Sequence, residues 1–487
     1  MPSRSSSSRS RPSSRPRRPH RGGGAHPSAR RLPNMLFATA DGQMLEHPYL
    51  KMAAHNGVEL RPPSPDELTP IPPGWEVMQL PDTHPIGLDP ETGAYEVVDH
   101  IPGMKVIPRA AAIHPPPGFV RQMLPAAEYL PFQHDAGASR LKVVDGGGNP
   151  GRSGLPLWAY TAVGWARGGV VAAMFQGDEL SRWAPGLYYQ ADLRDRVEER
   201  LKLDPENPVL NQLKQCALDY KCCCAQNIFY GRWEAAVPMA PACNAACLGC
   251  LSKDAEWDAP TPQKRLKFSP DGDDIGRVIA HHLETAEEAI ASFGQGCEGE
   301  PTLSGDALVD GVANARARTR NGVINLNTNG SKPRVVARAA EAGLGSIRVS
   351  VNSFDERVFE AYYRPGDYKL AHLYETLRVA KDAGLYKSIN LLLWPGWTDT
   401  EAELERISEM CKEGLLDMIQ LRNLCVDPAY YNSFLPKERG RVLGMRQMVE
   451  ELHRRFPRLR FGTFNPRLAS PWWDEVPPWV GAADASR

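Results

Sequence analysis

After residue 230 the sequence settles into an alternation that few folds satisfy: short apolar runs rich in β-formers, separated by helical patterns of ten to twenty residues. The strand candidates are "EAAVPMA" (234–240), "AIASFGQG" (289–296), "GVINLNT" (322–328), "SIRVSVN" (346–352), "SINLLLW" (388–394) and "DMIQLRNL" (417–424). Strands that alternate with helices run parallel, because each helix carries the chain back to the same edge of the sheet. Between them Leu370, Leu373, Tyr374 and Leu377 make an i, i+3, i+4, i+7 apolar stripe. Thr398 with Glu401 predicts a capping box before Leu404, Ile407 and Met410. A last stretch, "RQMVEELHRRFPRLRFGTF", adds a helix and a candidate seventh strand. The expected fold is α/β, a partial (βα)6-type parallel barrel over residues 230–465, with function gathered at the C-terminal ends of its strands.

The barrel is preceded by a different kind of sequence. Residues 35–225 read as an accessory domain, irregular and mixed α/β: Pro- and Gly-rich up to about 150, then two strand-like runs in "LPLWAYTAVGWARGGVVAAMF" and a helix in "LYYQADLRDRVEERLKLDP". Residues 1–34 hold nine arginines and no acid, and are expected to be a disordered Arg/Ser-rich tail; 466–487 read as a C-terminal tail. Globular-looking sequence starts at Met35, the expected true start. Without the tail, 48 basic face 58 acidic side chains, so general nucleic-acid binding is not expected. The longest wholly apolar run, residues 169–175, is far too short for a membrane span. Ten cysteines with no secretory segment point to a reducing compartment, the cytoplasm by default, where thiols serve metals or chemistry.

Three of those cysteines fall in "CNAACLGC", residues 243–250, directly after the first strand. A closed structural zinc site wants four ligands, and no second pair or nearby His completes this one. A [4Fe–4S] cubane closed by cysteine needs four thiolates, so Cys243, Cys247 and Cys250 leave one iron open to bind an amine and a carboxylate.

With this loop the chain resembles the radical S-adenosylmethionine (radical SAM) superfamily, whose hallmark is CxxxCxxC after strand one of a partial βα barrel. "GQGCEGEPTL" is similar to the family's GGEP element, with Glu298, Gly299, Glu300 and Pro301 in register. The resemblance implies that this segment meets the methionyl amine of the cofactor. It also implies polar contacts to the methionyl carboxylate and ribose at the ends of strands three and four, carried by Thr328, Asn329, Ser350 and Asn352. "LLLWPGWTDTEAE" resembles the segment that supports the adenine, and Arg364 follows strand four. One departure is Gly249, where many members have an aromatic; Trp394, Trp397 and Tyr363 are candidate replacements. The implied reaction is reductive cleavage of S-adenosylmethionine, after which the 5′-deoxyadenosyl radical takes a hydrogen atom from the substrate. It requires a one-electron donor such as a flavodoxin or ferredoxin. The substrate is an unknown small molecule or protein. The alternatives are an activase that installs a radical on a partner protein, and a non-catalytic iron–sulfur or zinc protein for electron transfer or partner binding.

"CALDYKCCCAQNIFYG" lies just before strand one, and its Cys216, Cys222 and Cys224 are candidates for a second site, an auxiliary iron–sulfur cluster. Buried, idle thiols are the competing reading. No catalytic residue is assigned; Cys297, inside the cofactor segment, and Cys425, at the end of strand six, are candidates for a ligand, hydrogen donor or nucleophile.

Overall fold

The computed structural model describes residues 32–129, 155–179, 182–253 and 261–465, so the expected C-terminal tail and all but residues 32–34 of the expected N-terminal tail fall outside the described residues. Its central feature is a seven-stranded, wholly parallel sheet. In chain and spatial order the strands are β1 (Arg232–Ala236), β2 (Glu287–Phe293), β3 (Val323–Thr328), β4 (Ser346–Val351), β5 (Tyr386–Leu393), β6 (Met418–Asn423) and β7 (Arg460–Gly462). The sheet curls into a half-barrel, the partial-barrel class expected, with β7 as a short seventh strand.

Three helices precede it: α1 (Leu193–Leu203), α2 (Pro208–Leu218) and α3 (Cys223–Tyr230). The crossovers carry α4 (Gly272–Thr285), α5 (Gly305–Arg318), α6 (Pro333–Glu341), α7 (Glu356–Tyr363), α8 (Leu370–Asp382), α9 (Glu401–Lys412), α10 (Pro428–Phe434) and α11 (Met445–Arg455). The stripe predicted for α8 is real: Leu370, Leu373 and Leu377 are buried, each stabilising the fold by roughly 1.5–3 kcal/mol. The N-cap of α9 is two residues later than expected, and no capping box closes it, since the Glu403 carboxylate turns to Ser353 and Phe354. Thr400, not Thr398, caps α9 by accepting from Glu403 N, while Thr398 Oγ1 accepts the N–H of Trp394. β1 also ends earlier than its apolar run, because the N–H groups of Met239 and Ala240 turn to the Glu298 carboxylate instead of a neighbouring strand.

The sheet has two unlike faces. Ile324, Leu326, Ile347, Val349, Val351, Ile389, Leu391 and Ile419 join one hydrophobic core with the surrounding helices. The alternate residues are polar: Glu234, Ser292, Asn325, Asn327, Arg348, Ser350, Asn390 and Gln420. Arg348 of β4 donates to Gln420 Oε1 of β6 at 2.6 Å, and its guanidinium lies 3.9 Å from Glu234 Oε1 of β1. Such contacts between non-adjacent strands cross the interior of the curl, so this face is the inner one. Burial holds Arg348 below the usual arginine range, opposed by Glu234.

Two readings of the N-terminal part change. The Pro-rich stretch expected to be irregular forms antiparallel sheet, with Asn34–Ala38 at its centre, paired with Met44–Met52, Arg109–Ile113 and Thr161–Ala166. Many of its strands have only two to six residues and several contain proline, so they leave little periodic signal. Helices α1–α3 do not sit apart with that sheet, since Val197, Val209, Leu213, Ala225 and Phe229 belong to the barrel's core. α3 covers the open edge of β1, where Asn227 Nδ2 donates to Glu234 O at 2.8 Å.

The accessory sheet is fastened to the ends of β5–β7. Arg121 is fully buried there and donates to the carbonyls of Tyr160, Leu393 and Leu424. Asp178 accepts from the N–H groups of Thr463 (2.6 Å) and Phe464 (3.2 Å), just after β7. Burial raises the Asp178 carboxyl from 3.8 to about 6 despite those bonds. A raised acid favours the folded state when protonated, so this contribution is complete below pH 4 and is lost as pH rises through 6. The loss between pH 4 and 7 is about 3 kcal/mol. Comparing urea midpoints over that range, wild type should lose stability with rising pH relative to Asp178→Asn; parallel profiles would contradict this.

Candidate active site

The 243–250 loop leaves β1 at the C-terminal edge and is pinned from both sides. On one side Gly299 N donates to Ala240 O (2.6 Å) and Glu300 N to Ala242 O (2.8 Å). On the other, Ala246 N and Leu248 N donate to the carbonyls of Tyr363 and Tyr362, both at 3.0 Å, and Gly366 N donates to Asn244 O. Gly299 is required by this approach, since a Cβ there would stand 1.9 Å from Ala242 O. Gly249 is required as well: its Cβ would lie 2.6 Å from Cys425 O and 3.0 Å from Tyr362 Oη. The aromatic missing at 249 therefore has no room, and the ring nearest the position is Tyr362 of α7. The sequence candidates Trp394, Trp397 and Tyr363 are all buried; Tyr363 and Tyr431 are edge-on to Tyr362, Trp394 is edge-on to Tyr431, and Trp397 lies under Arg439.

Cys243, Cys247 and Cys250 are free thiols, partly exposed along this loop. Burial pushes Cys243 and Cys247 above the ordinary thiol range. Cys250 Sγ receives Arg265 Nη2 at 3.6 Å, and Ser252 Oγ lies 3.7 Å away. Among the described residues no three His, Cys, Asp or Glu side chains converge on one ion position. A single zinc holds its ligand atoms about 2.0–2.3 Å from one centre, whereas a cubane spreads its thiolates over separate irons. The donor set, three thiols with an arginine donor, fits a cluster better than an ion.

The residues flagged at the neighbouring strand ends divide into braces and lining. Glu298 is a brace: its carboxylate accepts from the N–H groups of Met239, Ala240, Gly294 and Gln295, and burial raises it to about 7. Glu300 is a second brace, accepting from Thr302 N and Oγ1, Thr328 Oγ1 (2.6 Å) and Asn329 N (2.7 Å). Asn329 Nδ2 passes the connection to Asn244 Oδ1 in the cysteine loop, and Asn244 reaches Asp367, which pairs with Lys332. Pro301 opens a short 3₁₀ turn, Pro301–Ser304. Ser350 is half-buried on the inner face, in register with Asn390. Asn352 Nδ2 donates to Val358 O and Tyr431 Oη, leaving its Oδ1 buried without a partner among the described residues.

Further buried oxygens there lack partners among the described residues: Ser331 Oγ, Tyr363 Oη, Tyr368 Oη and Asn390 Oδ1. Burial drives both tyrosines far up, and the charges of Cys247, and for Tyr368 of Glu300 and Cys243, act on them as well, which places these hydroxyls beside the loop. Unsatisfied buried oxygens are what a site for a polar ligand leaves when the ligand is absent. Cys425 follows β6 with its thiol toward Asn423 O at 3.5 Å, and burial pushes it up to about 11. Arg364 stacks over the Phe434 ring. Lys332 and Arg265 had no signal in the sequence, because each acts only through a fold contact, whereas Asn244 lies within the cysteine loop and Tyr362 and Asp367 within "YYRPGDY", the stretch that holds Arg364.

A parallel half-barrel with a three-cysteine loop on its C-terminal edge defines a class, and residues 237–407 match the family model described as the Radical SAM superfamily. Residues 237–407 thus carry a radical SAM domain, and that domain implies a [4Fe–4S] cluster, S-adenosylmethionine and a reductant. Among curated proteins it is similar to GTP 3',8-cyclase of Tolumonas auensis, 32% identical over 164 residues, covering 33% of this chain and 44% of that protein. It is also similar to GTP 3',8-cyclase 2 of Mycobacterium bovis, 29% identical over 203 residues, covering 40% and 47%. The chain thus spans less than half the length of these relatives. Among solved structures, Streptococcus suis SuiB bound to S-adenosylmethionine aligns with a TM-score of 0.34 at 13% identity, over 47% of this chain and 50% of that one. No helix among the described residues is long and apolar enough to cross a membrane.

Proposed function

We propose that this enzyme holds a [4Fe–4S] cluster on Cys243, Cys247 and Cys250, reductively cleaves S-adenosylmethionine there, and starts radical chemistry on a polar substrate. The observation that carries the reading is the three-thiol loop bonded to Gly299 and Glu300 at the C-terminal edge of the half-barrel. When bound, cluster and sulfonium together supply a one-electron cleavage that yields a 5′-deoxyadenosyl radical able to take hydrogen from a substrate. The protein's own residues bind, orient and exclude water. Backbone at Gly299–Pro301 meets the methionyl end. Glu298, Glu300, Thr328 and Asn329 hold that backbone in place, and Ser350 and Asn352 offer hydrogen bonds to the rest of the cofactor. Deeper in, Arg348, Asn390 and Gln420 present polar groups to the substrate. The accessory sheet, locked by Arg121 over the ends of β5 and β6, closes that end against water.

An electron donor of the flavodoxin or ferredoxin type and a cytoplasmic setting belong to the same reading, supported by ten free cysteines. The names of the relatives make a purine nucleotide the first substrate to try. Anaerobically reconstituted protein, reduced with dithionite and given S-adenosylmethionine with or without GTP, should release 5′-deoxyadenosine. Release that GTP accelerates would assign the substrate to nucleotides. No release in either arm from a fully reconstituted cluster would overturn the reading.

A further inference from the structure

The cysteine-rich segment before the barrel is not absorbed by this function, and the fold gives it a fourth member from elsewhere in the chain. Cys216 lies in the last turn of α2, Cys222 is the N-cap of α3, and Cys224 lies in its first turn. A tight turn joins the helices, with Cys222 N donating to Cys216 O at 2.9 Å. The loop after β2 brings Cys297 against them: the Cys216 and Cys297 thiols lie within interaction range of each other, as do those of Cys222 and Cys224. Cys222 and Cys297 are also close enough to interact electrostatically. Cys223 is turned away, its thiol 3.8 Å from Tyr189 Oη on the outer side.

Two side-chain amides aim at the sulfurs. Gln212 Nε2 donates to Cys216 Sγ at 3.3 Å, and the Gln263 side chain bonds the Cys222 thiol. Amide donors to sulfur are the outer-shell contacts that metal-bound thiolates receive. Among the described residues the four do not converge on one ion position, and a cluster takes its thiolates on separate irons. The group also has a defined setting. Cys224 lies near Glu234 and Arg348 on the barrel's inner face. Through Cys297 it adjoins Glu298, whose carbonyl accepts Ser252 Oγ, itself beside Cys250.

We propose that Cys216, Cys222, Cys224 and Cys297 ligate a second iron–sulfur cluster, closed by four thiolates, at the β1 edge of the half-barrel. A closed cluster has no iron left for S-adenosylmethionine, which separates it from the one on the 243–250 loop.

The test removes the first site and asks whether a cluster remains. The full chain carrying Cys243→Ala, Cys247→Ala and Cys250→Ala, reconstituted anaerobically with iron and sulfide, should hold about four irons, against about eight in wild type. Its reduced electron paramagnetic resonance signal should not respond to S-adenosylmethionine. Adding Cys222→Ser and Cys224→Ser should remove that iron while the circular dichroism spectrum stays folded. A separate Cys297→Ser in wild type should lower iron to about four. A folded triple variant with no iron, zinc in place of iron, a Cys216–Cys297 disulfide in protein handled anaerobically, or iron unchanged by Cys222→Ser and Cys224→Ser would each overturn the proposal. Because the triple variant lacks the first cluster by design, this result is independent of whether the enzyme cleaves S-adenosylmethionine.

Discussion

Replacing Cys247 with alanine is expected to abolish 5′-deoxyadenosine formation while leaving the fold intact. Cys247 is the middle thiol of a loop whose backbone is held by bonds from Gly299, Glu300, Tyr362 and Tyr363, none of which involves its side chain. Removing the sulfur takes away one of three ligands and leaves the surrounding hydrogen bonds in place. A contrast is available one layer out. Arg265 donates to both Cys250 Sγ and Ser252 Oγ, so Arg265→Met should keep the cluster and lower the rate by about 10- to 100-fold, the cost typical of an outer-shell partner. The readouts are iron per chain and product by chromatography. Cys247→Ala protein with wild-type iron on this loop and wild-type turnover would remove the loop from the mechanism.

The largest effect on stability is expected from Arg121→Ala. This guanidinium carries the accessory sheet onto the barrel: it donates to carbonyls on both sides of the junction and stands 4.7 Å over the Trp394 ring. The main chain repeats the link, with Arg121 N donating to Asn423 Oδ1 and Asn423 Nδ2 to Phe119 O. Burial lowers the arginine to about 10, which still leaves it charged at neutral pH. Truncation would strand the carbonyl of Leu424, leave Leu393 O with only the Leu424 N–H at the ends of β5 and β6, and open a cavity beside Trp394. The expected loss is about 2–4 kcal/mol, and Arg121→Lys should restore only part of it, because a point charge cannot replace the planar fork. Urea denaturation measures this directly; a loss below about 0.5 kcal/mol would mean that the junction does not depend on Arg121.

The parts of this structure that were legible in the sequence are those with a local physical signature. Parallel strands covered by helices need apolar runs, and five of the six expected runs match β2–β6 closely. The first is offset because the Glu298 carboxylate, more than fifty residues away, replaces a strand partner for Met239 and Ala240. The three-cysteine loop was legible because thiolate spacing is itself the chemistry. Gly249 stood out as a missing aromatic, but its cause lies in Cys425 and Tyr362, which only the fold brings against it. Arg121 sits in an unremarkable Pro-rich stretch, and nothing local distinguishes it from a solvated arginine. Cys297 was noted for its place in the cofactor segment, and its nearness to Cys216 follows from the β2 loop alone. The accessory sheet was missed because two-residue strands ending at proline carry too little periodicity to register.

In the proposed site three thiolates leave one iron free for S-adenosylmethionine. Electron paramagnetic resonance of the reduced enzyme measures this most directly, in a Cys222→Ser, Cys224→Ser background that isolates the 243–250 loop. Adding S-adenosylmethionine should shift the cluster signal, and the shift should vanish with Cys247→Ala. A fully loaded cluster on Cys243, Cys247 and Cys250 whose signal is indifferent to S-adenosylmethionine would contradict it.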